Sequence, residues 1–119
     1  MKYNQATGEL TTNSGNVIGI GYAGHSEGKN NPAMESVKMV GPIPKGFYVI
    51  GKPIDSPHTG PYSIPLYPKM GNNMYGRSAF MIHGDSISAP GTASNGCIIL
   101  PRAIRVQINN CVDKILEVI

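Results

Sequence analysis

Two side chains in this sequence have the chemistry of a nucleophile and its base, namely the thiol of Cys97 and the imidazole of His83. His83 ends one apolar run and Cys97 begins another, and the segment between them is mostly small and polar. A thiol attacks a carbonyl as the thiolate, and a neighbouring imidazole lowers the cysteine pKa from its usual value of about 8.5. The loop is therefore either an ordinary connection or a device that brings the two groups together.

The residues beside this pair suit the same chemistry. Gly84 allows a sharp turn directly after His83, and Gly96 leaves room for a substrate carbonyl beside Cys97. We expect the backbone N–H groups of Gly96 and Cys97 to stabilise an oxyanion, and Ser94 to fix the loop or contact the substrate. The plainer alternative is a buried cysteine and a structural histidine without a shared role, since both residue types are often buried.

The composition indicates a single domain over residues 1–119 that is rich in turns and strands. It has 15 Gly and 10 Pro but only 14% charged residues, a mixture that disfavours long helices. The net charge of +3 is spread without any Lys or Arg run, which argues against nucleic-acid binding. The sequence has no stretch of about 18 apolar residues, so we expect no segment that spans a membrane. The first ten residues lack the apolar core of a signal peptide.

Apolar runs and turn residues predict a mainly β protein. We expect a hairpin within residues 1–22 and strands at about 46–52, 79–83 and 97–100. Residues 53–76 hold five prolines and are predicted to form only loops or short edge strands.

One short helix is predicted after Pro101, which suits a first helical turn. Ile104, Ile108 and Cys111 follow at helical spacing and indicate about three turns with an apolar stripe. Cys111 is therefore interpreted as a core residue. A closing strand at 115–119 is preferred, and a helix that continues to the end of the sequence is the alternative.

No metal and no cofactor are expected. A metal site would have to combine His83 and Cys97 with His25 and Cys111, and these four residues include no closely spaced ligand pair. The two cysteines allow at most one disulfide.

The paired motifs resemble the signature of the L,D-transpeptidase catalytic domain, in which His-Gly precedes Ser-His-Gly-Cys. Here they read His83-Gly84 and Ser94-Asn95-Gly96-Cys97. Asn95 stands where the usual domain has a second His, and Ile98-Ile99 replaces the pattern that puts an Arg just after the Cys. The resemblance implies a β-sandwich or barrel fold with a Cys97 nucleophile and a His83 base that a backbone carbonyl holds.

A narrower resemblance extends from about Gly21 to Arg105. The segments 22–26, 29–32 and 41–46 are similar to those of small L,D-transpeptidase effectors delivered by type VI secretion. This implies an antibacterial protein that is made in the cytoplasm without a signal peptide and carried into the periplasm of a rival bacterium. Its expected partners are peptidoglycan stem peptides and an immunity protein, and we expect a monomer.

The resemblance also implies a reaction. The Cys97 thiolate would attack the carbonyl between the third stem residue and D-Ala at position four, and D-Ala would leave with a proton from His83. Water as acceptor gives an L,D-carboxypeptidase, a free D-amino acid gives exchange, and a second stem amine gives a cross-link. Hydrolysis and exchange are favoured for an effector, and the choice between acceptors stays open.

Five further side chains are candidates for substrate binding, and four of them have a structural alternative. Tyr22 and Asn31 could instead hold loops together, and His25 could simply be exposed. Asn95 lies within the cysteine motif. Arg102 could replace the missing arginine and bind a carboxylate through two hydrogen bonds, or it could be an exposed residue of a first helical turn. His58 is interpreted as a surface residue.

Two rival functions follow from the same residues. A non-catalytic cell-wall-binding or virion-associated structural module would keep the fold without the reaction. A papain-like or amidase-type cysteine hydrolase fits less well, because those enzymes usually place the Cys before the His along the chain.

Overall fold

A computed structural model describes all 119 residues and contains ten strands, one α-helix and two single 3-10 turns. This confirms the prediction of a mainly β fold with one short helix after Cys97. The two turns are Ser26–Gly28 and Pro32–Met34. The elements are β1 Lys2–Tyr3, β2 Glu9–Thr11, β3 Val17–Ile20, β4 Tyr22–Ala23, β5 Gly46–Ile50, β6 Ile54–Ser56, β7 Gly60–Pro68, β8 Met81–His83, β9 Ile98–Ile99, α1 Arg102–Asn110 and β10 Ile115–Val118.

Nine of the strands follow one another in a mixed sheet, in the order β3-β2-β1-β10-β5-β7-β8-β9-β4, and β6 pairs with β7 at one side. The pairs β1–β10 and β8–β9 are parallel, whereas the other pairs are antiparallel. β10 lies between β1 and β5, so the preference for a closing strand over a longer helix is confirmed. Leu116 and Val118 alternate into the core, which is the period-two burial of a strand.

A row of four apolar residues crosses the part of the sheet that carries the His and Cys motifs. Ile64 pairs with Ile82, Ile82 with Ile98, and Ile98 with Ala23. All four side chains are fully buried. Because side chains alternate along a strand, this row assigns the neighbouring residues of each strand to the opposite face.

The prediction for residues 53–76 is wrong over residues 60–68, whereas Ile54–Ser56 is a short strand that pairs only with β7 and residues 69–76 form no strand. Gly60–Pro68 forms a nine-residue strand that lies between β5 and β8 rather than at an edge. The prolines are tolerated because proline loses only its N–H and still accepts hydrogen bonds: the Pro65 carbonyl accepts from the Gly51 N–H at 2.8 Å. Leu66 N–H restores the pairing one residue later by donating to the Phe80 carbonyl at 3.0 Å.

The helix begins after Pro101 and packs its predicted stripe on the sheet. Ile108 is buried, and Ile104 and Cys111 contact the core from its margin, as their spacing predicts. Both cysteines are free thiols. None of the helices has the length and apolar character that crossing a bilayer requires.

Candidate active site

His83 and Cys97 are brought near each other by two adjacent parallel strands of the sheet. His83 ends β8, and Cys97 directly precedes β9, in which Ile98 pairs with Ile82. Since Cys97 precedes Ile98 and Met81 precedes Ile82, this register puts Cys97 beside Met81, two residues before His83 along β8. The Met81 N–H donates to the Cys97 sulfur at 3.3 Å, which places the sulfur beside the start of β8.

The His83 ring is held in the tautomer of a base. Its Nδ1 lies 2.8 Å from the Gly84 carbonyl oxygen. A carbonyl only accepts hydrogen bonds, so Nδ1 carries the proton and Nε2 keeps a free lone pair. His83 is only 5% exposed, and this burial lowers its pKa. The imidazole is therefore neutral at pH 7, ready to accept a proton.

The Cys97 thiol is half-buried and protonated at rest. Burial raises its pKa, against smaller opposing effects of the Met81 N–H and the Arg77 charge. This differs from the thiol of lowered pKa that the sequence led us to expect, because no hydrogen bond joins the sulfur to His83: its contacts are the Met81 N–H and, at 4.0 Å, the Ala79 carbonyl. The two groups rest as a thiol and a neutral imidazole.

Cys97 opens into a cleft of about 400 Å³. His83 does not line this cleft, and two cations, Lys38 and Arg77, do. Asn95, one of the predicted substrate-binding residues, is exposed at its wall. The complete lining is Lys38, Met39, Gly76, Arg77, Ser78, Ala79, Phe80, Asn95 and Cys97.

Ser94 holds the backbone on both sides of the cysteine motif. Its hydroxyl is fully buried, accepts from the Gly24 N–H at 2.8 Å and the Gly96 N–H at 3.0 Å, and donates to the Cys97 carbonyl at 2.6 Å. Of the two roles expected for Ser94, the structure shows the loop-fixing one. The Gly96 N–H is thereby engaged within the loop, so it is not the free oxyanion donor that we expected.

Gly96 is required for a different reason. Its φ of +137° is disfavoured for other residues, and a Cβ built there would lie 2.5 Å from Arg77 Nη2 and 2.9 Å from the Phe80 ring. Glycine therefore lets a guanidinium pack against the backbone beside Cys97.

Arg77 is a site residue that the sequence patterns did not reveal. Its guanidinium donates to four backbone carbonyls, those of Glu35, Gly41, Pro42 and Asn95, and it lies 5.1 Å from the Phe80 ring centroid. No carboxylate pairs with it. It thus ties two loops together and places a positive charge near Cys97. The one available signal was a lone arginine just before an apolar strand in a lightly charged chain.

The remaining predicted contacts divide between loop support and a second cleft. The Asn31 side chain accepts from the Ala33 N–H and donates to the Glu27 carbonyl, so it holds its own loop. His25 and His58 are exposed, and neither lines a cleft. The Tyr22 hydroxyl donates to Asp85 at 2.6 Å and accepts from the Ala93 N–H at 3.0 Å, which ties β4 to the loop after His83.

The second cleft has a volume of about 830 Å³ and begins directly after His83, at Gly84. Tyr22 and Arg102 line it, together with Arg105, which the sequence analysis did not single out. A charged residue adjoining the apolar stripe of a helix was its only sequence signal. Nowhere do three or more His, Cys, Asp or Glu side chains gather in a group that could hold a metal ion. The complete lining is Ile20, Gly21, Tyr22, Thr59, Gly60, Pro61, Gly84, Asp85, Ile87, Ser88, Ile99, Leu100, Pro101, Arg102 and Arg105.

The fold and the site describe a β-rich domain with a histidine and a cysteine at adjacent parallel strands of its sheet. A family model described as the Tlde1 domain matches residues 19–116, and the chain therefore belongs to the Tlde1 domain family. By its name this is a family of type VI secretion L,D-transpeptidase effectors, the group that the sequence motifs resemble. No curated protein and no solved structure matches the chain.

Proposed function

We propose that this protein is a cysteine-dependent peptidoglycan L,D-carboxypeptidase and L,D-transpeptidase that removes or exchanges D-Ala at position four of stem tetrapeptides. The observation that carries the proposal is the placement of His83 at the end of β8 and of Cys97 directly before the parallel strand β9, with the sulfur at a cleft. Membership of the Tlde1 family supports the same reaction class and the same substrate polymer.

The resting protonation states define the first step. His83 Nε2 takes the proton of the Cys97 thiol as the sulfur attacks the carbonyl carbon that precedes D-Ala, so a thiolate forms only as it reacts. Because no hydrogen bond joins the two groups at rest, the imidazole and the sulfur draw together when substrate fills the cleft. The Arg77 charge favours the thiolate over the thiol during this transfer.

Collapse of the tetrahedral intermediate breaks the bond to D-Ala. The protonated His83 gives its proton to the departing amine, and the third stem residue remains on Cys97 as a thioester. Water or an amine then attacks the thioester, His83 takes a proton from it, and the Cys97 sulfur leaves and is protonated again. Water gives a tripeptide stem, and a free D-amino acid gives an exchanged tetrapeptide.

The test is incubation of the purified protein with tetrapeptide muropeptides, followed by chromatography and mass spectrometry. We expect D-Ala release by the parent protein and at least a thousandfold less by Cys97→Ala. Cys111→Ala and His58→Ala are matched controls, because they remove the other free thiol and an exposed imidazole, and both should retain turnover. Unchanged muropeptides with the parent protein, or equal turnover by Cys97→Ala, would refute the proposal.

A thiol probe separates this enzyme from a non-catalytic wall-binding or structural module. An enzyme should be labelled at Cys97 by an acylating stem-peptide analogue, and His83→Gln should abolish that labelling while leaving the folded structure intact. Labelling of Cys97 that His83→Gln does not reduce, or labelling of Cys111 alone, would favour the non-catalytic module.

We also propose that the protein acts in the periplasm of a target bacterium after type VI secretion, where an immunity protein could block the site. The family name supports this route. Expression of the protein with an added periplasmic signal should slow growth and deplete tetrapeptide stems, whereas cytoplasmic expression and periplasmic Cys97→Ala should do neither. Toxicity of the cytoplasmic form would contradict the proposed compartment.

A further inference from the structure

Arg105 is a nearly buried cation without a carboxylate partner. It is 6% exposed, and its Nε donates to the Leu100 carbonyl at 3.1 Å, while Nη1 donates to the carbonyls of Pro61 and Tyr62 at 3.0 and 2.8 Å. The two N–H groups of Nη2 have no partner in the protein. A buried charge normally acquires a counter-ion, so an unpaired guanidinium at the wall of a cavity points to an anionic ligand.

The free end of Arg105 belongs to the 830 Å³ cleft. A Cβ built on Gly84, another lining residue, would lie 2.9 Å from Arg105 Nη2, so the glycine keeps space open beside the guanidinium. Arg102 stands at the same cleft with its guanidinium 5.0 Å from the Tyr62 ring centroid. Two arginines at one cavity favour a carboxylate, which accepts two parallel hydrogen bonds from a guanidinium.

The one acidic side chain of the cleft does not neutralise these arginines. Asp85 accepts from the Tyr22 hydroxyl at 2.6 Å and from the backbone N–H groups of Ser86 and Gly91 at 2.8 and 3.0 Å. Its carboxylate is thus held by its own loop and by Tyr22. The cleft keeps an excess of positive charge.

The position of this cleft relates it to the His83 side of the site. Gly84 follows His83 directly, and Ile99, which pairs with His83, also lines the cleft. Cys97 instead lines the smaller cleft, and the two cavities share no lining residue. His83 itself lines neither cavity, and a molecule in the larger cleft would lie beside the backbone that directly follows the imidazole.

We propose that the cleft of Arg102 and Arg105 is the acceptor subsite, where the carboxylate of a free D-amino acid binds with its amine directed toward His83. The role as acceptor site rests on the proposed function, whereas the binding of a small carboxylate does not. In the step itself the amine nitrogen attacks the thioester carbon and gives its proton to His83. The carbon–sulfur bond breaks, and the Cys97 sulfur receives the proton as the new amide forms.

The binding test uses the Cys97→Ala protein, which cannot turn over, and titrates it with D-alanine while backbone amide signals are followed by NMR. We expect saturable shifts at Gly84, Ile99 and Arg102. D-alaninamide, which has the amine but no carboxylate, should cause none. We expect D-alanine to bind roughly tenfold more weakly to Arg102→Gln, a change at an exposed position, and to Arg105→Lys, which keeps the charge. The reason is that a hydrogen bond to a charged group contributes about 1.5–3 kcal/mol. Lys52→Gln, an exposed cation outside both clefts, should not weaken this binding.

A second measurement separates the failure of this inference from failure of the proposed function. With muropeptide and added D-amino acid, Arg102→Gln should lower the ratio of exchanged to hydrolysed product. D-Ala release without saturable D-alanine binding, or equal binding of D-alaninamide, would overturn the subsite and leave the enzyme. Saturable binding at this cleft in a protein without turnover would keep the carboxylate site and remove its role as acceptor site.

Discussion

Substitution of Ser94 by alanine is the sharpest test of how the loop between His83 and Cys97 is held. One buried hydroxyl satisfies three backbone groups, the N–H of Gly24, the N–H of Gly96 and the carbonyl of Cys97. Alanine has nearly the same volume but removes all three hydrogen bonds at once. The change therefore isolates hydrogen bonding from packing.

The magnitude follows from the three groups left without partners. A buried polar group that loses its partner costs about 1–3 kcal/mol, so three could cost up to about 9 kcal/mol if none were hydrated. The Cys97 carbonyl is only partly buried and can reach water, and the loop can relax around the two N–H groups. We expect a loss of about 3 kcal/mol in the free energy of unfolding, a large share of a typical total of roughly 5–15 kcal/mol.

Urea unfolding followed by circular dichroism measures this loss, since the chain has no Trp to report by fluorescence. For a domain of this size, 3 kcal/mol also corresponds to a fall in Tm of about 12 °C. Ser36→Ala is the matched control, because Ser36 is exposed, and it should change stability by no more than about 0.5 kcal/mol. If Ser94→Ala were as stable as that control, the three hydrogen bonds would not hold the loop in solution.

Four further outcomes are expected. Gly96→Ala, with φ +137° and a buried guanidinium 2.5 Å from the new Cβ, should cost about 3 kcal/mol in urea unfolding. Gly71→Ala, with φ +103° but open space around it, should cost only about 1 kcal/mol, and equal costs would contradict the steric argument. Tyr22→Phe should speed hydrogen exchange in the loop after His83, because the hydroxyl ties that loop to β4, and unchanged exchange would refute the tie. Because burial lowers the pKa of His83, kcat/KM should fall with acidification only below about pH 6.5. Because burial raises the pKa of Cys97, the rate of its alkylation by iodoacetamide should still increase above pH 9. A rate that reaches its plateau below pH 7 would instead indicate a thiolate–imidazolium ion pair formed before substrate binds.

Local patterns in the sequence predicted most of the architecture. Apolar runs and the turn residues around them identified β5, β8 and β10, and the spacing of Ile104 and Ile108 identified the helix. Such patterns suffice where one face of an element is buried, because burial imprints the period of that element on the residues.

The failure at β7 has a definite cause. The prediction treated every proline as a residue that ends a strand. The effect of a proline depends instead on whether the adjacent strand would accept a hydrogen bond from the N–H that proline lacks. In β7 the Pro65 carbonyl still accepts from Gly51, and this partner belongs to a segment 14 residues earlier. Local sequence contains no record of that neighbour.

The sequence likewise predicted some residues of the candidate site and missed others. The motif that includes His83 and Cys97 was visible in the sequence because short loops and glycines mark it. Arg77 and Arg105 were not visible, since each is defined by carbonyls that come from distant segments: Arg77 reaches back to Glu35, and Arg105 reaches Pro61. Nor could the motif reveal that burial, and not a neighbouring imidazole, governs the Cys97 pKa.

By itself the sequence determined most of the elements, the order of the two motifs along the chain and the candidate reactive groups, because these depend on residue type and local spacing. The tertiary structure alone decided that the two motifs meet at adjacent parallel strands and that Arg77 and Arg105 stand without a carboxylate partner at two separate clefts. Those features depend on strand register and on burial against remote segments, and both are set only when the whole chain has closed around its core.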